Sequence, residues 1–443
     1  MSIERKDIEQ ALDILGPGTR LDVLGESAEL LRYAESEITA QHSERRLRVR
    51  VKVNRDGRTA GGTLETLDPT AVQSLADRLT AALADLPAGP TAEAAPSNDD
   101  APDLDQVVVE PAKSVVDCDP AVRHEWFTTV RDGLDPSARL GGAIRYDVLD
   151  RVVADAAGLF RSETLTKASI QAIAKQDGKS ASVRLVHRDA DLIPVGDIPG
   201  RLREALRPLP VREPFHGTCR VLLKPSAVNT LIATFGHWAL GAQHYASGRS
   251  VLSGRMGEQV VSEQLTLVDD ATDAAGLLSG FDAEGNIRRR SPLIDRGVLT
   301  GVVSDRRRAD LTGGVPTGHA VPDGWRFGGD PVPSHLLLDA GDSTEDELLA
   351  ECGSGLVVNR LDYLRVLHPK QTLVTGTTRD ATYWAEDGKL VAWHPQLRFT
   401  FRMDEVLNAV LAVGAVREIG DQTFMDSVVV PSLLIDAGPL VLT

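Results

Sequence analysis

The sequence predicts an α+β fold: an N-terminal mixed α/β domain over 1–210, followed by a β-rich C-terminal domain over 211–443 with antiparallel sheet. Three observations carry this prediction. Short Val- and Leu-rich runs broken by Gly, Asp and Pro fill the second half. Asp-Gly pairs, at Asp56-Gly57 and Asp177-Gly178, close alternating segments in the first half. No regular strand–helix alternation runs through the chain, which argues against a doubly wound parallel sheet. A length of 443 residues suffices for two or three domains with substantial cores.

Taken in order, residues 4–15 have the apolar spacing of an amphipathic helix, and "GPG" at 16–18 closes it. Short β-like runs follow, the clearest at Leu47–Val53, where Leu and Val alternate with Arg. A helix is expected from about Pro69 to Leu86. The Pro-, Ala- and Asp-rich stretch at 87–105 reads as a linker or exposed loop. Asp119 is placed to cap a helix whose first residue is Pro120, and strand-rich sequence runs from about 137 to 188. "DGKS" at 177–180 resembles the end of a phosphate loop, but Ile173 stands where its first glycine belongs, so it reads as a hairpin turn. Beyond a strand at "CRVLLKP", a helix is expected over 226–243, and a last helix near 403–416 precedes a strand-like tail.

Apolar residues at 42% and charged residues at 25% are ordinary for a globular protein, whereas aromatics are few at 4%. The net charge of −16 argues against DNA, RNA or an anionic membrane as partner. Cys118, Cys219 and Cys352 have no metal-knuckle or disulfide spacing. The N-terminal residues lack a secretory apolar region, and "VLNAVLAVGAV" at 406–416 is too short to span a bilayer. A cytoplasmic location is the simplest expectation.

Few residues offer chemistry on their own. The stretch "TFGHWALGAQH" puts His237 and His244 on one expected helix, two turns and about 10 Å apart. Two ligands of one zinc cannot be spaced so, and no carboxylate lies between them. His124-Glu125 has no second histidine four or five residues on, and Ser354 lacks the G-x-S-x-G setting of a nucleophile. Arg288–Arg290 and Arg306–Arg308 suit carboxylate binding, though Asp282, Glu284, Asp305 and Asp310 stand near enough in sequence to neutralise them. "TGTTRDATYWAEDGKLV" delivers Thr hydroxyls, Arg379 and Asp380 from one strand, which reads as a binding edge.

Three further stretches bear on identity: "SVLSGRMGEQVVSEQLTLVDD" at 250–270, "SPLIDRGVLTGVVSDRRRA" at 291–309 and "LVTGTTRDATYWAEDGKLVAWHPQLRFT" at 373–400. Together with the N-terminal "LRYAESEITAQHSERRLRVRVKVNRDGRTAGG", they resemble the TldD/PmbA (TldE) family in order and spread. The resemblance implies a two-subunit, peptidase-like assembly. A TldD-like subunit carries a metal on an H-E-x-x-x-H helix with a later cysteine, and a PmbA/TldE-like subunit lacks these ligands. Counting back from "SVLSG", Ala233 and Thr234 stand where His-Glu belongs and Trp238 where the second His belongs; Thr423 replaces the cysteine. A one-residue gap brings His237 onto the second ligand position but leaves Ala or Thr at the first. Zinc needs three protein ligands and a water to act on an amide.

The expectation is therefore a PmbA/TldE-like subunit with no catalytic residue, metal or cofactor of its own, whose zinc sits on a TldD-like partner. Its substrate would be an extended peptide or a peptide-derived product, held partly by sheet edges. His237, Arg360, Tyr363, Arg379 and Asp380 are the candidate substrate-binding residues. A homodimeric peptide-binding or regulatory protein is the alternative, and an independent site on His237, His244 or His319 is a third reading.

Overall fold

The computed structural model describes residues 3–89, 110–310, 315–322, 330–421 and 426–442. Most of the 87–105 stretch lies outside them. Helix α1 (Arg5–Leu15) buries Ile8, Ala11 and Leu15 and stops at Gly16, whose φ of 77° favours glycine. Three strands follow: β1 (Thr19–Ala34), β2 (Glu37–Arg55) and β3 (Arg58–Leu64). Where the sequence suggests short runs, the strands are 16 and 19 residues long. The far part of β2 is polar on both faces, so no hydrophobic alternation marks it, yet it pairs with β1 along its whole length. Asp56 and Gly57, both left-handed, make the expected β2–β3 turn.

Helix α2 (Pro69–Asp85) packs Val72, Leu75 and Leu79 with α1 onto this sheet. The short α3 (Lys113–Val116) precedes α4 (Pro120–Asp132), which is capped by Asp119 as read from the sequence. Strands β4 (Arg139–Asp155), β5 (Phe160–Gln176) and β6 (Lys179–His187) complete an antiparallel sheet in the order β3-β2-β1-β4-β5-β6. "DGKS" is the β5–β6 hairpin turn, with Asp177 and Gly178 left-handed. Helix α5 (Ile198–Ala205) then leads to the second sheet.

That sheet opens with β7 (Arg220–Leu223), followed by α6 (Pro225–Ala239) and α7 (Ala242–Ala246). The single helix expected over 226–243 is thus two. Leu240 and Gly241 break it, because Gly241 bridges to Val303 in extended conformation and a Cβ there would stand 2.5 Å from the Pro331 carbonyl. Short strands β8 (Leu267–Asp269), β9 (Ser291–Asp295) and β10 (Val298–Leu299) precede α8 (Arg306–Ala309), β11 (His335–Leu338) and α9 (Glu345–Cys352).

The long hairpin β12 (Gly355–His368) and β13 (Leu373–Glu386) follows, then β14 (Lys389–Trp393) and β15 (Arg398–Arg402). Helix α10 (Met403–Asn408) is short, and β16 (Val410–Gly420) takes the rest of the segment expected to be helical. Its valines pair with β17 (Ser427–Ile435), and that ladder outweighs local helix propensity. With β18 (Val441–Leu442) the sheet has 12 strands. It is mixed, because β11–β17 and β7–β12 run parallel. Apolar residues of α6, including Leu231, Ile232 and Phe235, fill the core beneath it. Among the described residues no helix is long and apolar enough to cross a membrane.

Candidate functional site

A cleft of about 1050 Å³ is lined by both sheets: by Ser182 and Arg184 of β6 on one side, and by Asn359 to Leu364 of β12 on the other. Its floor includes α6, which presents Ser226, Thr230 and Thr234 at steps of four residues, hence on one helical face. The two threonine hydroxyls donate back to helix carbonyls, Thr230 to Ser226 and Thr234 to Thr230 at 2.7 Å. Asn359 bridges the sheets by donating to the Ser182 carbonyl at 3.4 Å.

Several cations at the cleft are matched by carboxylates. Arg184 and the buried Lys167 both hold Asp421, at 2.7 and 3.1 Å, and Arg201 meets Glu418 at 2.8 Å. Lys224 pairs with Glu345. No His or Cys lies among the described residues lining the cleft.

Four of the five candidate residues come together. Arg360 and Arg379 are cross-strand partners on β12 and β13. Each is held by an aspartate of the opposite strand: Arg360 by Asp380 at 2.8 Å, and Arg379 by Asp362 at 2.7 Å. Ser180 of β6 donates to Asp380 at 2.7 Å, which ties the cluster to the first sheet. Tyr363, Asp380 and Ala381 have positive φ, and the ladder shifts register on either side of Arg360 and Asp362. The bulge at Tyr363 leaves the residue 68% exposed. Arg360 and Tyr363 line the cleft, whereas Arg379 and Asp380 are not among its lining residues.

His237 is elsewhere. It is not among the residues lining the cleft; its ring meets the edge of Trp238 at 5.2 Å, and Trp238 stacks on His244 at 5.6 Å. Burial, then the nearby His244, pushes the His237 pKa down to about 4. His244 faces Asp330 at 3.8 Å, and Arg308 holds the same aspartate at 2.8 Å. His319 is deep in the protein, 2.8 Å from the Asp269 carboxylate. Burial raises the Cys219 and Cys352 thiols to about 11, far from a reactive thiolate.

Sequence reasoning passed over Asp362, Ser180, Arg184 and Asp421. Asp362 could have been found in "NRLDYLRV", whose alternation puts it on the side of Arg360. Asp421 follows a strand end and carries no local signal.

The metal-helix position of the family does not fit a metal here. It offers the methyl of Ala233 and the back-bonded hydroxyl of Thr234, with Trp238 engaged in stacking. Thr423 lies outside the described residues. Among those described, no group of three or more His, Cys, Asp or Glu could hold an ion.

This architecture of a long-stranded antiparallel sheet docked on a larger mixed sheet is shared with known proteins. Residues 216–438, just over half of the chain, match the PmbA/TldA metallopeptidase C-terminal domain, and the chain belongs to the PmbA/TldD family. It is similar to a protein named metalloprotease from Methanothermobacter thermautotrophicus, 33% identical over 160 residues, which are 34% of each chain. A metalloprotease TldD homolog of Buchnera aphidicola is 26% identical over 49% of this chain and 43% of its own. The matches thus span less than half the length of these relatives. In fold, TldE from Thermococcus kodakarensis superposes with a TM-score of 0.85 at 17% identity, covering 98% of this chain and all of that one. A putative modulator of DNA gyrase from Thermotoga maritima superposes at 0.81, with 18% identity and 99% coverage of both.

Proposed function

We propose that the chain is the TldE/PmbA-like, non-metal subunit of a heteromeric TldD/TldE-type metallopeptidase or amide hydrolase. The observation that carries this reading is the cleft face of α6. It presents Ser226, Thr230 and Thr234, the family's metal positions hold Ala233, Thr234 and Trp238, and the sequence holds no H-E-x-x-H or H-E-x-x-x-H anywhere. Zinc, the amide-activating Lewis acid, belongs on a TldD-like partner. This chain contributes a wall of the cleft, where Arg360 and Tyr363 contact an extended peptide or peptide-derived product. Arg379 and Asp380 position them through the ion pairs with Asp362 and Arg360. The edges of β6 and β12 supply main-chain groups for such a peptide.

The test is co-expression with a TldD-like chain, followed by size-exclusion chromatography, zinc analysis and an amide-hydrolysis assay. A stable complex, with zinc and activity found only when both chains are present, is expected. Hydrolysis by this chain alone, metal-replete and partner-free, would sink the idea. Peptide binding without a partner or turnover would favour a homodimeric binding protein.

A further inference from the structure

An acidic chain of net charge −16 carries a basic face on its second sheet. Along β12, β13 and β15 the register pairs Arg360 with Arg379, Arg365 with Thr375 and then Thr400, Thr377 with Arg398, and Leu373 with Arg402. Cross-strand partners share a face of a sheet. Five arginines and three threonines therefore stand on one side, while Val374, Phe399 and Phe401 turn into the core.

Three of these arginines are matched from within: Arg360 by Asp380, Arg379 by Asp362, and Arg402 by Asp404 and Glu405. Arg365 and Arg398 are exposed and meet no carboxylate at ion-pair distance among the described residues. Arg365 lies over the exposed ring of Tyr363, 5.9 Å from its centre. Strand spacing and a two-residue offset put the Arg365 and Arg398 backbones about 12 Å apart, with the threonines between. On an extended chain, carboxylates three or four residues apart are about 10–14 Å from each other.

We propose that this face binds acidic peptide segments, Arg365 and Arg398 each taking a carboxylate and the threonine patch facing the backbone between them. Guanidinium is suited to this because its planar donor pair matches a carboxylate. The face runs directly into the cleft, since Arg360, Asp362 and Tyr363 belong to both. The inference rests on the peptide-handling part of the reading above, and it adds a substrate class: segments rich in Asp or Glu. A nucleic acid would suffer repulsion from the rest of the chain along its whole backbone, whereas a short acidic segment needs only two uncompensated arginines.

The experiment is fluorescence anisotropy of the full chain with three labelled peptides of equal length: one rich in Asp and Glu, its Asn/Gln twin, and a Lys-rich one. At low salt the acidic peptide is expected to bind about tenfold more tightly than its amide twin, and high salt should erase the difference. The double variant Arg365→Gln/Arg398→Gln should lose that preference while keeping its melting temperature and its affinity for the amide twin. Arg296→Gln, an exposed change on the β9–β10 turn, should behave as wild type. Equal binding of acidic and amide peptides, a preference that survives the double variant, or tighter binding of single-stranded DNA would overturn the proposal. Failure to bind any peptide would overturn it together with the peptide-handling reading. An acidic preference in a chain that captures no TldD-like partner would leave this inference standing and remove the subunit assignment alone.

Discussion

His335 is fully enclosed, with Arg288, Asp269, His319 and Arg151 around it. Burial, reinforced by the Arg288 guanidinium, pushes its pKa down to about 3, whereas an unfolded histidine titrates near 6.5. Between those values the unfolded chain binds a proton that the folded chain refuses. The stability from keeping His335 neutral is complete above about pH 6.5 and is lost as pH falls toward 3. Asp269 behaves differently. Burial alone would raise its pKa, but His319, His335 and Arg288 hold the carboxyl below the usual range. Its contribution fades only in stronger acid, below an unfolded value near 3.9. Urea titrations between about pH 6 and 4 should therefore show a loss approaching about 1.4 kcal/mol per pH unit from His335, with His237 adding a similar slope that fades toward pH 4. His335→Gln should make that limb shallower whatever it does to stability at pH 7. An unchanged slope would contradict this account.

The break between α6 and α7 shows the same logic at the level of an element. Ala242 donates to the Val303 carbonyl at 2.8 Å and Val303 to the Leu240 carbonyl at 2.9 Å, so the chain leaves the helix to join a strand-like bridge. Gly241→Ala must displace the Pro331 carbonyl, at a cost of about 1–3 kcal/mol. Urea denaturation should register it, and the Ala242 amide should exchange faster; a neutral substitution with full amide protection would refute it. The break also explains what the sequence could not reveal. Helical spacing in "TFGHWALGAQH" continues past Leu240, and only the distant Val303 and Pro331 interrupt it. For the same reason 410–416 carries a helical pattern in sequence, and only its pairing with the distant β17 makes it a strand. Elements with local signals were legible: the Asp119-Pro120 start of α4, the two Asp-Gly hairpins, and the metal helix without ligands. Arg360, Arg379 and Asp380 were legible as residues, but their ion-pair square with Asp362 depends on bulges that no short-range pattern announces.

At the scale of the whole molecule, the two sheets share one core. Tyr33, Ile170 and Ala172 of the first pack in the same cluster as Leu222, Val357 and Tyr383 of the second. Polar links cross the same boundary. Glu163 and Arg151 hold the 279–281 segment, with the Gly280 amide donating to Glu163 at 2.7 Å. Asp421 receives both Lys167 and Arg184, and neither Asp421 nor Lys167 is more than slightly exposed. Parting the sheets would expose an apolar surface and bare several charges at once, so neither half has an independent route to unfolding. Calorimetry should show one transition, with tryptophan fluorescence and far-UV circular dichroism melting together. Asp421→Ala removes a carboxylate from the buried Lys167 and should lower stability by about 3 kcal/mol without splitting that transition. A fragment of residues 1–210 should bind a hydrophobic dye or aggregate, because the part of its core that packs on Leu222, Val357, Tyr383 and Leu434 is uncovered. Two resolved transitions in the full chain, or a monomeric fragment with native-like dispersion, would mean that the shared core does not couple the sheets. The cleft would then lie between bodies free to move, and the ion pairs of Asp421 with Lys167 and Arg184, together with the Ser180–Asp380 hydrogen bond, would act as a latch across it.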